Sequence, residues 1–515
     1  MAWKPIILGR LRHQTGQPAL CCDFLPERVG TCFGLTRFPG DHRFLTQKES
    51  DHKARHLRDN STLPYSLTPD VPCSLSMKTI RGISVKSLTR VEGEGALKVQ
   101  LVDGRVEIAE FKIYEPPRFF ERLLRGRGIA EVPDITARIC GICPVAYQMS
   151  SCIALEKALG ISASPAITRL RRLLYCGEWI TSHALHMHLL HAPDFLGCES
   201  GFSLPPDYAG FLEDGLLLKA LGNQILEAVG GRAVHPVNVA VGGFYRGPDV
   251  AAVRSLIPKL EQGLKAASRS LKRVSQFCFP KASSPTVRLS LASDAEYPMN
   301  YGDLMITGIE RPVCTPIEAF AEHSREFQVR HSTALHSRLI DGDASYLCGP
   351  LARLSHNIER LPKLAREAAE GCGINWAEAS MHQSIVARGI EVLAAIEDAL
   401  AIARDYQAIP TPARQEITPQ AGSGCHATEA PRGLLYHHYE VDEAGLVTAA
   451  TIIPPTSQNQ AQIEADLATM LTQQLGQPSP PDDASLTRQC ETLIRSYDPC
   501  ISCATHFLTL SIIGR

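Results

Sequence analysis

The sequence of 515 residues predicts a mainly α-helical protein with small antiparallel β elements, an α+β protein built around a bundle of long helices. Several long stretches place apolar residues at intervals of three and four, which is the period of a helix with one buried face. Short alternating segments, joined by turn residues, flank these stretches near both ends. A content of 44% hydrophobic and 21% charged residues is typical of a folded globular chain.

The first 76 residues differ from the rest, because they are rich in Arg, His, Pro and Gly and carry no sustained hydrophobic period. We expect an N-terminal extension over 1–76 that is poorly ordered, or a start codon assigned too far upstream, with Met77 as the working start. A zinc site is the alternative, but the cysteines of this segment lack the short paired spacings of such sites. These cysteines are Cys21, Cys22, Cys32 and Cys73. A single domain over 77–506 and a short tail over 507–515 are expected to follow.

The first regular elements of this domain are two strands. Leu97–Val102 and Arg105–Ile113 alternate apolar and polar residues around Asp103-Gly104, which is typical of a tight hairpin. Five helical stretches are predicted next, and Gly230-Gly231 is expected to end the second of them. The five stretches are Ile167–His191, Phe211–Val229, Val250–Cys278, Ile317–Leu339 and Trp376–Tyr406.

The last third of the domain returns to strands. After a passage rich in Pro and Gly over 409–424, a second strand pair is predicted at Leu434–Val441 and Leu446–Ile453. A short helix near Leu486–Ser496 then leads to Asp498-Pro499.

Charge and hydropathy exclude two classes of function. The chain has 52 Lys and Arg against 54 Asp and Glu, whereas nucleic-acid-binding proteins normally carry a basic excess. No apolar run approaches the roughly 18 residues that span a bilayer, so no membrane span is expected. Seventeen cysteines are too dilute for a disulfide scaffold, and the N-terminus shows no secretory signal. We therefore expect a cytoplasmic protein whose clustered cysteines bind metal or carry redox chemistry.

Two C-x-x-C pairs lie near opposite ends of the regular region, Cys140 with Cys143 and Cys500 with Cys503. Each pair brings two sulfurs within reach of one metal, and four thiolates suit Zn, Fe, Cu(I) or Ni. Structural zinc is the alternative, but zinc ribbons usually join their pairs over roughly 15–20 residues. Here most of a helical domain separates the pairs, which favours a site that joins the two ends of a fold.

The residues around the pairs make the pattern specific. R-x-C-G-x-C at 138–143 and D-P-C-x-x-C-x-x-H at 498–506 closely resemble the two end motifs of the large subunit of nickel–iron hydrogenases, and the likeness covers roughly 78–515. The resemblance implies the fold of that subunit and a Ni–Fe pair whose iron carries carbon monoxide and cyanide. Cys140 and Cys500 would be terminal nickel ligands, and Cys143 and Cys503 would bridge nickel to iron. The implied activity is the reversible heterolytic cleavage of H2.

Further segments resemble the same family. T-R-V-E-G at 89–93 resembles the segment that brings a glutamate near the metals, so Glu92 would be the first proton acceptor beyond the thiolates. P-R-F-F-E at 117–121 resembles the segment whose glutamate binds magnesium or another divalent ion, with Glu121 and His506 as ligands. The family more often has Arg-Gly-x-Glu in this segment and a histidine at the position of Tyr147, so metal tuning and the response to oxygen stay open.

The segment E-A-P-R-G at 429–433 resembles the one that holds an arginine over the open metal site, so Arg432 would lie over that site and Pro431 would contribute to binding the cofactor. Asp194 and Asp498 match carboxylates that orient this arginine. P-T-S-Q-N at 455–459 resembles the segment that hydrogen-bonds a cyanide, with Thr456 as the donor.

The proton released from H2 needs a base, and two are possible: a metal-bound thiolate or a transiently deprotonated Arg432. We favour a thiolate, Cys500 first, which passes the proton to Glu92, because the pKa of arginine exceeds about 12. Four thiolates and two cyanides leave excess negative charge, which a buried Arg432 would compensate.

Other candidate ligands are expected to be structural. His183, His186, His188 and His191 crowd one predicted helix, but no carboxylate or cysteine lies at a matching spacing, so core positions are expected. The remaining cysteines of the domain are scattered, and buried inert thiols are expected. These cysteines are Cys152, Cys176, Cys198, Cys278, Cys314, Cys348, Cys372, Cys425 and Cys490.

The electrons must leave the chain, since no further cysteine run of iron–sulfur type remains. G-S-G-C-H-A at 422–427 matches a dinucleotide pattern formally, but no predicted strand and helix frame it, so we reject it. The resemblance therefore implies an iron–sulfur small subunit, flavin and NAD(P) electron-transfer subunits, and factors that insert nickel. The cytoplasmic NAD(P)-linked or sulfur-reducing branch is nearest.

The resemblance also implies that the tail over 507–515 is removed after His506 once nickel is bound. Among competing functions, a non-catalytic scaffold of the quinone-reductase type shares the fold but lacks the four cysteines. Their presence here speaks against it.

Overall fold

The structure is a computed structural model that describes residues 79–280 and 287–506. The predicted extension with its four cysteines and the tail over 507–515 lie outside the described residues. The helices of the described part are α1 (Phe120–Leu124), α2 (Val132–Ala137), α3 (Pro144–Ala158), α4 (Pro165–Leu185), α5 (Ala192–Leu196), α6 (Ala209–Gly230), α7 (Val250–Arg254), α8 (Ile257–Val274), α9 (Phe320–His323), α10 (Pro350–Asn357), α11 (Lys363–Gly371), α12 (Ser384–Asp405), α13 (Pro455–Leu475), α14 (Asp483–Tyr497) and α15 (Ile501–Ala504).

The strands are short and pair antiparallel in small separate sheets. Within residues 79–280 and 287–506, three sheets have three strands each, in the orders β1-β2-β3, β6-β7-β8 and β11-β12-β13, and two further pairs are β4-β5 and β9-β10. The strands are β1 (Ile80–Val85), β2 (Gly95–Val102), β3 (Arg105–Ile113), β4 (Val239–Ala240), β5 (Gly243–Phe244), β6 (Arg288–Ala292), β7 (Asp303–Thr307), β8 (Val313–Thr315), β9 (Ser324–Gln328), β10 (Leu335–Leu339), β11 (Gly422–Ala430), β12 (Gly433–Val441) and β13 (Val447–Ile453). This architecture confirms the predicted class.

The long helices α4, α6, α8 and α12 pack on one another and form the centre of the main hydrophobic core. Helix α4 begins at a favourable N-terminus, because the side chain of Ser164 accepts a hydrogen bond from the N–H of Ile167 and Pro165 occupies the first turn. A π-helical segment, His186–His191, continues α4. A smaller core lies under the sheet β6-β7-β8. No helix of the described residues is long and apolar enough to cross a membrane.

The strand pairs predicted from alternation are present, with β2 and β3 at one end and β12 and β13 at the other. Predicted helices also appear at α4, α6 and α14. The stretch predicted as one helix over Val250–Cys278 is two helices, α7 and α8. Pro258 lies in the first turn of α8 and has no N–H to continue a helix from α7.

Two other helix predictions need correction. Within the stretch predicted over Trp376–Tyr406, the α-helix is α12. A short 3-10 turn precedes it, and the capping box formed by Ser380 and Gln383 starts that turn. Ile317–Leu339 is wrong for most of its length, since β9 and β10 form a hairpin there after short helical turns. The packing of β10 against α13 overrides the local period of the apolar residues.

The glycine pattern at 422–427 lies within strand β11, where a Pro/Gly-rich passage over 409–424 was predicted. No strand directly precedes the pattern and no helix directly follows it among the described residues, and packing also supports its rejection as a nucleotide site. A Cβ at Gly422 would lie 2.0 Å from the carbonyl oxygen of Ala158, and one at Gly424 would lie 2.4 Å from that of Ala154. These glycines therefore let β11 pack directly against the backbone of α3, where no phosphate group could enter.

Two segments that the sequence analysis left unassigned frame the site. Helix α3 begins directly after Cys143, with Pro144 in its first turn. Helix α13 begins at Pro455, and its first turns carry Thr456 and Asn459.

Candidate metal centre

The four cysteines of the two C-x-x-C pairs meet in the interior of the protein. The Sγ atoms of Cys140 and Cys500 lie 3.3 Å apart, those of Cys143 and Cys503 lie 3.4 Å apart, and those of Cys500 and Cys503 lie 2.8 Å apart. All four sulfurs lie within 4.8 Å of one another, and none of these residues is more than 4% exposed. Four convergent, water-shielded sulfurs are a donor set for a soft or borderline metal.

The chain around each pair holds the sulfurs in place. The N–H of Ile142 donates to the Sγ of Cys140 at 3.3 Å. Asp498 adopts a left-handed conformation, with φ 55°, where α14 ends, and the chain then turns into Pro499 and Cys500. Asp is among the few residues that tolerate this conformation. The N–H of Cys500 donates to the Oγ1 of Thr456 at 3.0 Å, so α13 anchors the second pair.

Glu92 lies against the second pair. Its Oε2 is 3.1 Å from the Sγ of Cys500 and accepts a hydrogen bond from the N–H of Ser502 at 3.0 Å. The backbone carbonyl of Glu92 also accepts from the N–H of Ile501 at 3.1 Å, which ties the two segments together. Glu92 is partly exposed whereas Cys500 is fully buried, so its carboxylate connects the sulfur to the edge of the interior.

Arg432 lies beside the sulfurs and is 3% exposed. Arg432 lines a small cavity together with Tyr147, Pro431, Pro455 and three of the four cysteines. Its Nε donates to the carbonyl of Asp498 at 2.7 Å, and its Nη2 donates to the Asp498 carboxylate at 3.1 Å. Burial opposes its charge, but Asp498 and the neighbouring thiols outweigh burial and raise the pKa of Arg432 well above its usual value. Arg432 is therefore a fixed cation here and a poor candidate for a base.

Asp194 does not contact Arg432, which corrects the expectation that it orients that guanidinium. Its carboxylate instead accepts hydrogen bonds from Arg495, at 2.7 and 2.9 Å, and from Arg90 at 2.5 Å. Arg90 and Arg495 precede Glu92 and Asp498 by two and three positions in the sequence. Asp194 thus joins the segment that carries Glu92 to the segment that carries Cys500, through Arg90 and Arg495.

Glu121 and His506 meet at one residue of β13. The Glu121 carboxylate accepts from the N–H of Ile452 at 2.8 Å, and the Nε2 of His506 lies 2.6 Å from the carbonyl oxygen of Ile452. Both side chains are buried, and burial lowers the pKa of His506 to about 4, so its imidazole is neutral. A carboxylate, a carbonyl and a neutral imidazole in one place are a possible donor set for a divalent cation.

A buried ion network that the sequence analysis missed supports the Arg432 segment. Arg353, which is 0% exposed, pairs with Glu391 at 2.7 Å and with Glu429 at 2.9 Å. It also donates to the carbonyls of Ala430 and Pro431, at 2.8 and 3.1 Å. Arg353 lies on α10, Glu391 on α12 and Glu429 on β11, and the three are remote from one another in the sequence, so no local pattern could have signalled the network.

Glu178 is a second residue that sequence reasoning missed. Its carboxylate accepts from the N–H groups of Val145 and Ala146, at 2.6 and 3.1 Å, in the first turn of α3. It therefore satisfies the helix end that follows Cys143. An isolated acid within an apolar helical stretch was the available signal.

The histidines of α4 and its π-helical continuation are core residues, as expected: each is buried, and burial lowers the pKa of His183 and of His188 to about 4. None of the four belongs to a cluster of three possible metal ligands among the described residues.

The scattered cysteines differ in burial. Cys152, Cys176, Cys348 and Cys490 are buried as expected, whereas Cys278 and Cys314 are exposed.

Comparison with known proteins identifies the family. The model of the nickel-dependent hydrogenase family matches residues 118–216 and 353–506. The sulfhydrogenase 2 subunit alpha of Pyrococcus furiosus is 33% identical over 430 residues, which cover 83% of this chain and 100% of that protein. The beta subunit of the NAD-reducing hydrogenase HoxS of Cupriavidus necator is 26% identical and covers 83% of this chain and 95% of its own length.

A solved structure agrees with this assignment. The crystal structure of an NAD+-reducing [NiFe]-hydrogenase in the H2-reduced state superposes with a TM-score of 0.73 at 27% identity, over 83% of this chain and 99% of that one. Together with the buried four-sulfur site, these matches show that the chain belongs to the nickel-dependent hydrogenase family as its catalytic subunit, an oxidoreductase that acts on H2.

Proposed function

We propose that the four thiolates hold a Ni–Fe pair whose iron carries carbon monoxide and cyanide, with Cys140 and Cys500 as terminal nickel ligands and Cys143 and Cys503 as bridges. The observation that carries this proposal is the convergence of four buried sulfurs beside a buried arginine. When bound, such a pair supplies the electrophile for the heterolytic cleavage of H2.

The protein's own groups move the proton. We place the first acceptor at the Sγ of Cys500 and the second at the Oε2 of Glu92, because these atoms are 3.1 Å apart. A sulfur-to-carboxylate transfer over this distance needs no intervening water. Arg432 compensates the negative charge of the thiolates, and Asp498 holds its guanidinium in position.

Pro431 and Thr456 complete the binding role. Both lie next to the sulfurs, Pro431 in the cavity wall and Thr456 through its hydrogen bond with Cys500. A hydroxyl that accepts one hydrogen bond can still donate its own proton. We therefore propose that the Thr456 hydroxyl donates to a cyanide.

A second cation belongs to the same proposal. Glu121 and His506, with the carbonyl of Ile452 between them, are proposed to bind magnesium or another divalent ion. This ion would hold the end of the described chain against β13 and thereby support the turn that carries Cys503.

The electrons are proposed to leave through partner chains, an iron–sulfur small subunit and flavin and NAD(P) or sulfur-reducing subunits, in a complex assembled by nickel-insertion factors. The described cysteines outside the four-sulfur site form no further metal cluster, which supports this. We also propose a cytoplasmic location, since all thirteen described cysteines are unpaired.

The tail is proposed to be removed after His506. His506 is already engaged in the fold, because its carbonyl accepts from the N–H of Phe120 at 3.0 Å. An intact mass that ends at His506 in active, nickel-containing enzyme is expected, and a mass that extends to Arg515 would refute the cleavage.

The central test combines metal analysis with one substitution. Purified enzyme is expected to contain nickel and iron, and Cys500→Ser is expected to abolish hydrogen–deuterium exchange. Zinc without nickel would favour a structural zinc protein, and exchange retained in Cys500→Ser would refute the ligand assignment. A non-catalytic scaffold is disfavoured by the intact four-sulfur site.

A further inference from the structure

A second cluster of potential metal ligands lies far from the four cysteines in sequence and is not used by the proposed function. It consists of His331 in the loop between β9 and β10, His336 on β10 and Glu464 on α13, and we name it the hairpin cluster. One ligand atom of each residue lies within 4.8 Å of the others. The cluster forms where the β9-β10 hairpin packs against α13, which also packs on β3.

The two oxygens of Glu464 each face a different imidazole. The Nε2 of His331 lies 2.7 Å from Oε1, and the Nδ1 of His336 lies 3.9 Å from Oε2. The two rings meet edge to face, with centroids 5.5 Å apart. Ligands of one tetrahedral zinc ion lie about 3.3 Å from one another, given bonds of about 2.0–2.1 Å. One donor atom from each of the three residues already lies within 4.8 Å of the others, so small side-chain shifts reach that spacing.

A simple ion pair between His331 and Glu464 would explain only half of this arrangement. His336 is 2% exposed, its Nε2 makes no hydrogen bond of normal geometry among the described residues, and 3.9 Å is too long for one at Nδ1. An imidazole buried in this way is neutral and keeps a lone pair. With the proton of the neutral ring on Nε2, the lone pair of Nδ1 faces Glu464 and is available to a metal ion.

The surroundings match those of a metal-bound histidine. The Nδ1 of His331, on the side of the ring away from Glu464, faces the Oε1 of Glu110 on β3 at 3.8 Å. A carboxylate that is hydrogen-bonded behind a ligating histidine commonly orients its ring and strengthens it as a ligand. The 3.8 Å contact is longer than such a hydrogen bond, so Glu110 takes this role after a small side-chain shift. The N–H of Phe111 donates to the Oε1 of Glu464 at 3.0 Å and holds the central carboxylate from the same strand.

We propose that His331, His336 and Glu464 bind a divalent metal ion, with Zn²⁺ as the best match to two imidazoles and one carboxylate, and with water completing the coordination. The side chains of His331 and Glu464 are 18% and 19% exposed, so an ion can enter from solvent. The ion joins the hairpin to α13, the helix whose first turn carries Thr456 against Cys500. Its role is to stabilise that helix rather than to take part in the reaction.

The test uses the purified hydrogenase complex and Zn²⁺ as the probe. We expect wild-type complex dialysed against Zn²⁺ to retain one zinc per chain of this subunit, at unchanged nickel content. His336→Gln and Glu464→Gln are expected to lose this zinc, and Glu110→Gln to bind it about tenfold more weakly. His323→Gln is the matched control, because His323 lies just before β9 and outside the cluster.

X-ray absorption at the zinc edge separates this site from zinc bound in place of nickel. Nitrogen and oxygen neighbours at about 2.0–2.1 Å are expected, whereas zinc at the four cysteines would show sulfur at about 2.3 Å. Zinc should also raise the unfolding temperature of the wild type and of His323→Gln but not of Glu464→Gln. That variant preserves shape and hydrogen bonding, so it decides the test if His336→Gln does not fold. Absence of bound zinc in the wild type, equal zinc in the variants, or sulfur ligation would overturn the proposal.

Discussion

Replacement of Glu92 by glutamine isolates the proton-transfer step from the metal site. The amide has the shape of the carboxylate. Its oxygen can still accept a hydrogen bond from the N–H of Ser502, which lies 3.0 Å from the Oε2 of Glu92 in the wild type. What is lost is the ability to take a proton from the Sγ of Cys500, 3.1 Å distant. The four sulfurs and Arg432 keep their contacts, so metal content should stay unchanged.

The expected magnitude follows from the value of a positioned proton acceptor, which is about 10²–10⁴ in rate. This loss corresponds to about 3–5 kcal/mol of activation free energy. Among the described residues, Glu92 is the carboxylate that contacts Cys500, so we expect no neighbouring acid to replace it.

The assay measures H2 oxidation with an artificial acceptor and, separately, exchange of H2 with D2O. Both should fall together in Glu92→Gln, because both need the proton to leave the site. Conversion of para- to ortho-hydrogen should persist, since it needs only cleavage and re-formation of the bond. Glu94→Gln is the matched control, an exposed glutamate two positions away. Wild-type turnover in Glu92→Gln, at equal nickel content, would refute the proposed route.

Three further predictions concern the support of the site. Arg353→Met leaves two buried carboxylates unpaired and should cost about 3–5 kcal/mol of stability. Removing an exposed pair with Arg404→Met should cost about 0–1 kcal/mol, and equal shifts in unfolding temperature would contradict this. Burial raises the pKa of Glu326 from 4.5 to about 8, so the unfolded chain ionises first and stability should fall as pH rises between these values. Glu326→Gln should remove that fall in a pH series of unfolding temperatures; an unchanged slope would show that another group causes it. Asp498→Asn should lower H2 turnover roughly tenfold, because Arg432 loses its carboxylate partner, with nickel content as the control.

Much of the site could be predicted from the sequence because its cysteines lie in two short motifs. The spacing in each C-x-x-C pair, and the residues that flank it, specify sulfur ligands wherever the segments lie in space. The strand pairs β2-β3 and β12-β13 were also predictable, since turn residues and alternation act over a few positions. The role of Asp194 was not predictable, because its partners Arg90 and Arg495 come from segments that are distant from it in the sequence.

Distant contacts also explain why the β9-β10 hairpin was wrongly predicted as part of a helix. Its apolar spacing fits a helix locally, but the two strands pair with each other and β10 packs against α13, and neither contact can be read from local spacing. The hairpin cluster appears only once this pairing is known, because Glu464 is remote in sequence from His331 and His336.

The sequence by itself determined the class of fold, the four cysteines that meet in the interior and the family resemblance, since these depend on residue type and local spacing. Only the tertiary structure decided which carboxylate holds Arg432, which buried arginine supports its loop, and that the three residues of the hairpin cluster lie together. The physical reason is that a buried charge must find its partner within a few ångströms of space, and the folded chain brings those partners together from any distance along the sequence.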